Sequence, residues 1–326
     1  MKLIRIVLAL VVGLAFAGTA AAQKTYLFGT NPQGTLYYAT GAAIVKVLTQ
    51  SSDVKSTVQP TGGSSTYIPM INRSEMDFGF ANVGESNWSY SGTKTFNGRP
   101  NPNIRLVAVT YTLYNTLSVA NDSPYRTVMD LKGKRMPSKY TAQNIFQVLQ
   151  DAALANGGLH TKDMKAIPTS TSVGGLKMLG QGKTDVGIHG CGAGITKQVH
   201  AMLVRKGGIR HVPLSQSPEA IARMRKVFPG VGVCFVKPRK NWPGVREPMG
   251  VMCYPSFMIV GAHVPEDVVY KVTKTMHDNP KALGEGFGAL RGFKPDRMNL
   301  AHPTPYHAGA IKYYKEIGQW PPPAVK

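Results

Sequence analysis

The sequence predicts an α/β protein in which helices cover parallel strands, arranged as two units of like order. Three observations carry this. Strand, glycine-rich turn and helix follow one another twice between Thr25 and Asn72. A second block, from Leu117, returns to the same order. Each block also has a helix followed by Asp, any residue, Gly and an apolar residue: Asp77-Phe78-Gly79-Phe80 and Asp185-Val186-Gly187-Ile188. The motif recurs at the same place in the same succession, which points to two lobes of like topology.

Along the chain, "TYLFGT" (25–30) alternates as a short strand. Tyr37, Gly41, Ile44 and Leu48 then share one helical face, with Thr35 as the natural N-cap. "KSTVQP" (55–60) is the next strand, followed by the turn Gly62-Gly63-Ser64. Pro69 lies in the helix after that turn, so the helix is expected to start near Thr66 or to bend at Pro69.

In the second block "TLSVAN" (116–121), "GKRMPS" (133–138) and "MKAIPT" (164–169) are strand-like. Ile145, Val148, Leu149 and Ala152 form a helical stripe that Asn156-Gly157-Gly158 ends. Val173, Leu176 and Leu179 predict a short helix closed by Gly180 and Gly182. Further on, Pro265, Glu266 and Asp267 open a helix whose buried stripe is Val268, Val272 and Met276. Lys271, Lys274 and His277 lie toward its end, a charge order that suits the helix dipole. A last helix is expected over 308–318, before a Pro-rich tail.

With 326 residues, 43% of them hydrophobic, the chain has material for two packed domains, and its composition excludes disorder. The first 22 residues read as a signal peptide. Lys2 and Arg5 are followed by the apolar run Ile6–Ala17 and by Ala20-Ala21-Ala22, with cleavage expected before Gln23. The mature chain is therefore expected in the periplasm. No Cys follows the small residues, so no lipid anchor is expected there. Loss of Lys2 and Arg5 lowers the net charge from +21 to +19. Such a field attracts anions. The basic clusters 132–135, 204–210 and 237–246 lack a nucleic-acid-binding motif, and behind a signal peptide nucleic acid is not the expected partner. Of Cys191, Cys234 and Cys253, at most two can pair. Cys234 and Cys253, which flank one basic loop, are the most plausible pair, though spacing alone does not establish it.

Catalytic and metal motifs are missing from the sequence. It has no Gly-x-Ser-x-Gly elbow and no P-loop, and "GCGAGI" (190–195) has Ile195 where a dinucleotide fingerprint needs its third Gly. "DFG" at 77–79 stands without the other kinase elements. His189, His200 and His211 have no metal-ligand spacing, and no cofactor is expected. What remains is a set of loops at the carboxyl ends of predicted strands, the edge where open α/β sheets bind ligands. They are 30–38, 61–65, 81–86, 138–143 and 189–194. Their glycines admit close backbone approach, and free N–H groups at helix starts attract negative oxygens. Gly62-Gly63-Ser64 is expected to offer such donors to a carboxylate.

"FGTNPQGTLYYATGAAI", "VQPTGGSSTYI", "MDFGFANVGES", "DLKGKR", "GKTDVGIHG", "VPEDVVYKVTK" and "PYHAGAIKYYKEIG" resemble the TAXI-type solute receptors of tripartite (TRAP) transporters, in family order over nearly the whole mature chain. The resemblance implies a periplasmic binding protein of the second type, with two α/β lobes joined by crossing strands and a ligand cleft between them. Lobe I would comprise 23–112 and 251–326, and lobe II 113–250, with crossings near Tyr111–Leu117 and Met249–Val260. It also implies a small carboxylate as ligand, a TRAP permease as partner, a monomer and no catalysis. The implied ligand-binding residues are Asn31, Gly34, Tyr37, Tyr38, Gly62, Gly63, Ser64, Asn82, Ser138, Lys139, Tyr140, Thr141 and His189. Asn82 stands where the family usually has Gln. Ser138-Lys139-Tyr140-Thr141 replaces a usual Gly-Ser-Gly-Thr, which removes two flexible glycines and adds Lys139 as a possible point charge or as a solvated side chain. A sensing protein, an exported enzyme of the same architecture and a polyanion-binding surface protein are the rival readings.

Overall fold

A computed structural model describes residues 24–323, and the signal-peptide expectation lies outside them. β1 (Tyr26–Thr30) leads into α1 (Leu36–Ser51), where the Thr35 hydroxyl caps the helix by accepting from the Tyr38 amide at 3.2 Å. β2 (Ser56–Pro60) is followed by α2 (Ser64–Asn72), and β3 (Phe78–Asn82) runs straight into α3 (Val83–Ser91). α2 begins two residues earlier than the proline suggested, and Pro69 lies inside it. The long β4 (Ile104–Ala120) crosses into the second block. That block contains β5 (Arg135–Lys139), α4 (Ile145–Asn156), β6 (Lys165–Thr169), α5 (Ser172–Gly180), β7 (Gly187–Gly190) and α6 (Gly194–Met202). β8 (Ile209–His211), α7 (Pro218–Val227) and β9 (Gly232–Val236) complete it. The chain returns along β10 (Met249–Gly261) and ends with α8 (Glu266–Asp278), α9 (Pro280–Gly286) and α10 (Ala308–Glu316).

The expected parallel strands are joined by antiparallel ones. β1 pairs in parallel with β2 and β3, and β5 with β6. β10, however, enters antiparallel between β3 and β4, because it carries the chain back from the second block. Its Ser256–Val260 half pairs with β3, and its Met249–Cys253 half with β9. β4 likewise leaves β10 to pair Asn115–Ser118 with β7 and Ser118–Ala120 with β8. One sheet of eight strands therefore runs through both halves, and two long ribbons span the passage between them. The fold is of the periplasmic-binding-protein type.

Helices seal both ends of this sheet. Phe28 and Phe78 stack at 4.5 Å in the first half, and Ile44 and Leu48 of α1 are fully buried there. Val268, Val272 and Met276 of α8 are buried as the stripe predicts.

The repeated Asp-x-Gly motif has the same structural use in both halves. Asp77 Oδ2 accepts from the Leu27 amide at 2.9 Å, and Asp185 Oδ2 accepts from the Arg135 amide at 2.9 Å. Each carboxylate also takes a basic side chain, Lys24 for Asp77 and Arg135 for Asp185, both at 2.7 Å. These aspartates pin the first strand of each half to the strand that follows them. Hydrogen bonds to charged acceptors are worth about 1.5–3 kcal/mol each when buried. Asp77→Ala is thus expected to lower unfolding free energy by about 2–3 kcal/mol, and the more exposed Asp185→Ala by about 1–2 kcal/mol. Urea unfolding of the two variants checks this order.

Candidate functional site

At the strand ends of the first half, backbone and side chains converge toward the second half. Gly34 adopts φ 90°, and its carbonyl accepts from the Ile195 amide at 3.0 Å. Ser65 Oγ accepts from the Asn144 amide at 3.0 Å. Gly63 has φ 153° and ψ −176°, and a Cβ built there would lie 2.0 Å from Gln143 Cγ. On the far side, a Cβ on Gly84 would lie 2.3 Å from Phe228, whose ring sits 5.5 Å from Trp88 and 5.3 Å from Tyr254. The two halves therefore touch around a closed seam.

Inside that seam lies a cavity of about 40 Å³. From the first half it is lined by Asn31, Thr35, Tyr37, Ser64, Asn82 and Glu85. Ile145, Phe146, Leu149 and His189 line it from the second half, and Leu113, Asn115 and Tyr254 from the long strands. A water needs roughly 10–15 Å³ by this kind of measure, so the space fits a molecule of about three or four water-sized groups.

Among the described residues Glu85 is the one acidic side chain lining the cavity, and it is 1% exposed. Asn82 caps α3, its Oδ1 accepting from the amides of Gly84 and Glu85, and so fixes the turn that carries Glu85. Glu85 Oε1 accepts from Ser64 Oγ at 2.5 Å, while Oε2 has no hydrogen-bond partner. Burial pushes its carboxyl up to about 7, against the pull of the Ser64 hydroxyl and the Asn82 amide. His189 is held neutral, its imidazole drawn down to about 3 by burial. Its Nδ1 accepts from the Gly190 amide at 2.8 Å, which leaves Nε2 to donate to Ser172 Oγ at 3.2 Å. Phe146 packs against its ring at 5.5 Å. Burial also raises the phenols of Tyr37 and Tyr254.

Asn31, Tyr37, Ser64, Asn82 and His189, all singled out from the sequence, are brought together here. Gly34 and Gly63 lie in the seam rather than in the lining, and Gly62 approaches Ala142 beside them. Tyr38 is half-buried, its hydroxyl 3.0 Å from Gln33 Nε2. The segment 138–141 stands apart from the lining. Lys139 and Thr141 are exposed, and the Lys139 amide donates to Gln147 Oε1 at 3.0 Å. Left-handed backbone at Lys139 and Tyr140 (φ 69° and 43°) buries the Tyr140 ring behind Phe146 at 5.8 Å, with its hydroxyl donating to Gln150. Ser138 is buried on β5. The sequence reading missed Glu85, Asn115 and Tyr254. The Asn82-x-x-Glu85 spacing of an N-cap and its third helical residue was the available signal for the first.

Among the described residues no group of three His, Cys, Asp or Glu side chains could hold a metal. Cys234 and Cys253 form the disulfide, with Cα atoms 5.7 Å apart. Cys191 is buried and its thiol is pushed up to about 12, so it is inert as a nucleophile. No helix among the described residues is long and apolar enough to cross a membrane.

Residues 28–318 match the profile described as the NMT1-like family. Among solved structures the fold resembles PhnD1 from Prochlorococcus marinus in complex with methylphosphonate, at 11% identity and TM-score 0.55, over 91% of this chain and 99% of that one. A structure described as a periplasmic transporter aligns at 13% identity and TM-score 0.54, over 92% and 94%. The ligand-binding component of an ABC-type import system from Staphylococcus aureus, with zinc bound, aligns at 10% identity and TM-score 0.50, over 93% and 94%.

Proposed function

The chain belongs to the NMT1-like family, and from that premise we propose that it is a periplasmic solute-binding protein that closes over one small molecule and delivers it to a membrane permease. The observation that carries this is the small buried cavity at the junction of the two halves, shut by hydrogen bonds from the Ile195 amide to the Gly34 carbonyl and from the Asn144 amide to the Ser65 hydroxyl. Those bonds must break for a solute to enter and re-form once it is bound, the behaviour of a clamshell receptor.

Lobe I is then 23–112 with 251–326, and lobe II is 113–250. Both junctions fall within or at the edge of the long strands β4 and β10, which supports the division. The permease is of the TRAP type on the strength of the TAXI-like motifs, the protein acts as a monomer, and it catalyses nothing. PhnD1 was solved with methylphosphonate, an anion, and the sequence favours an organic acid as the solute here. In this cavity, however, an acid would meet no Lys or Arg among the lining side chains and would face Glu85.

A thermal-shift screen of small metabolites tests the reading. A solute at about a hundred times its Kd should stabilise the closed form by about 2.7 kcal/mol. Scattering should show compaction on binding, and the solute should be recovered unchanged. Turnover of the bound molecule would instead make this an enzyme on a binding-protein fold. Solute uptake by vesicles that hold a TRAP-type permease alone, without this protein, would remove the delivery role.

A further inference from the structure

The solute-binding reading leaves the chemistry of the solute open, and the polar atoms of the cavity bear on it. Three lining side-chain atoms are buried without a hydrogen-bond partner: Glu85 Oε2, Asn31 Oδ1 and Asn115 Oδ1. Each is an oxygen. Their residues are 1%, 5% and 3% exposed. The Asn115 amide nitrogen is already used, donating to the Tyr254 hydroxyl. Buried carboxylates persist when they are paired, and a buried acceptor left alone is costly. Among the lining side chains no Lys or Arg is present to pair with Glu85. The titratable groups that act on it or share the cavity are the phenols of Tyr37, Tyr67 and Tyr254 and the neutral imidazole of His189.

We propose that the solute carries a protonated amine, which donates to Glu85 Oε2 and to the side-chain oxygens of Asn31 and Asn115. This rests on the solute-binding reading and reverses the charge expected of the ligand. The amine supplies the cation that the protein withholds, and Leu113, Ile145, Phe146 and Leu149 cover its hydrocarbon part. The volume limits that part to a few carbons. Although the surface as a whole is strongly basic, selectivity is set by the contacts inside the cavity.

The proton balance gives the reading a signature. In the closed form, burial pushes the Glu85 carboxyl up to about 7, so without an ammonium to pair with it is partly protonated there at neutral pH. Pairing with an ammonium requires the ionised form, so binding releases a proton from Glu85. Affinity should therefore fall by up to about tenfold per pH unit as the solution is acidified below about pH 7, and level off above it.

Calorimetric titration of the full mature protein with ethyl-, propyl- and butylammonium, and with acetate, propionate and butyrate as matched anions, tests this. The expected result is binding of an alkylammonium with proton release, seen by comparing buffers of different ionisation enthalpy. Glu85→Gln keeps the size and the bond to Ser64. It should weaken that binding by about 10- to 100-fold and flatten its pH dependence, with little change in melting temperature. A merely structural role for Glu85 would move the melting temperature and leave the pH dependence in place. If the carboxylates bind and the ammoniums do not, or if Glu85→Gln tightens binding, the amine proposal is overturned while the solute-binding reading stands. If neither series binds, the amine proposal also fails, and the metabolite screen separately decides the solute-binding reading.

Discussion

Gly63→Ala is expected to weaken solute binding by about 30-fold or more, the equivalent of about 2 kcal/mol. The cause is twofold. At φ 153° and ψ −176° the Gly63 backbone lies where glycine alone is at ease, and another residue there costs of order 1–3 kcal/mol. The added methyl would also stand 2.0 Å from Gln143 Cγ and 2.4 Å from the Ala142 carbonyl oxygen, both in the opposite half. Gln143 is fully buried, with Oε1 committed to the Ser172 amide at 2.7 Å, so it has little freedom to retreat. The clash, unlike the backbone strain, depends on the two halves being together, because Ala142 and Gln143 belong to the half that the turn faces. The neighbouring Gly62→Ala is the control. Its Cβ would meet only the Ala142 methyl at 3.0 Å and the Thr66 hydroxyl at 3.6 Å, so a much smaller loss is expected. Dissociation constants of the two variants, with scattering profiles with and without solute, check this. Wild-type affinity in Gly63→Ala would mean that the bound form does not bring these two segments together.

The second large effect is on stability. Cys234 on β9 is bonded to Cys253 on β10 across a sequence separation of 19. Closing a loop of this length in the unfolded chain is worth about 3 kcal/mol by the chain-entropy account. Replacing both cysteines by Ala should lower the melting temperature by roughly 6–12 °C, at about 2–4 °C per kcal/mol for a chain of this class. Solute affinity should change little, because β10 stays paired with β4 from Met252 to Gly261 on its other side. Calorimetric melting of the double variant against the oxidised protein, and of both under reducing agent, measures this. If the reduced wild type melts as the oxidised one does, the bond contributes nothing.

Local signals in the sequence mark where elements begin. Thr35 before an apolar face at helical spacing marks the start of α1, and Pro265-Glu266-Asp267 marks that of α8, because caps and dipoles act over one turn. Long-range pairing was harder to read. "TLSVAN" is only the end of β4, whose first dozen residues become a strand by lying against β10, some 145 residues later in the chain. The site divides along the same line. Asn31, Tyr37, Ser64, Asn82 and His189 stand at predicted strand ends and reach the cavity. Asn115 and Tyr254 are polar groups in the middle of apolar strands, and their role depends on which face of the ribbon meets the cavity. Of the two readings of Lys139, a point charge for an anion or a solvated side chain, its exposed position outside the cavity lining matches the second.

The place of β10 in the sheet bears on when the protein can fold. The first half is built around a strand that joins β3 to β4 yet begins only at Met249. While the ribosome is still making the second block, the nascent chain lacks the partner that closes its first sheet, and β3 and β4 have unsatisfied edges. A chain released at about residue 240 is expected to remain open and protease-sensitive. The first half can therefore complete its sheet only after most of the chain has been made.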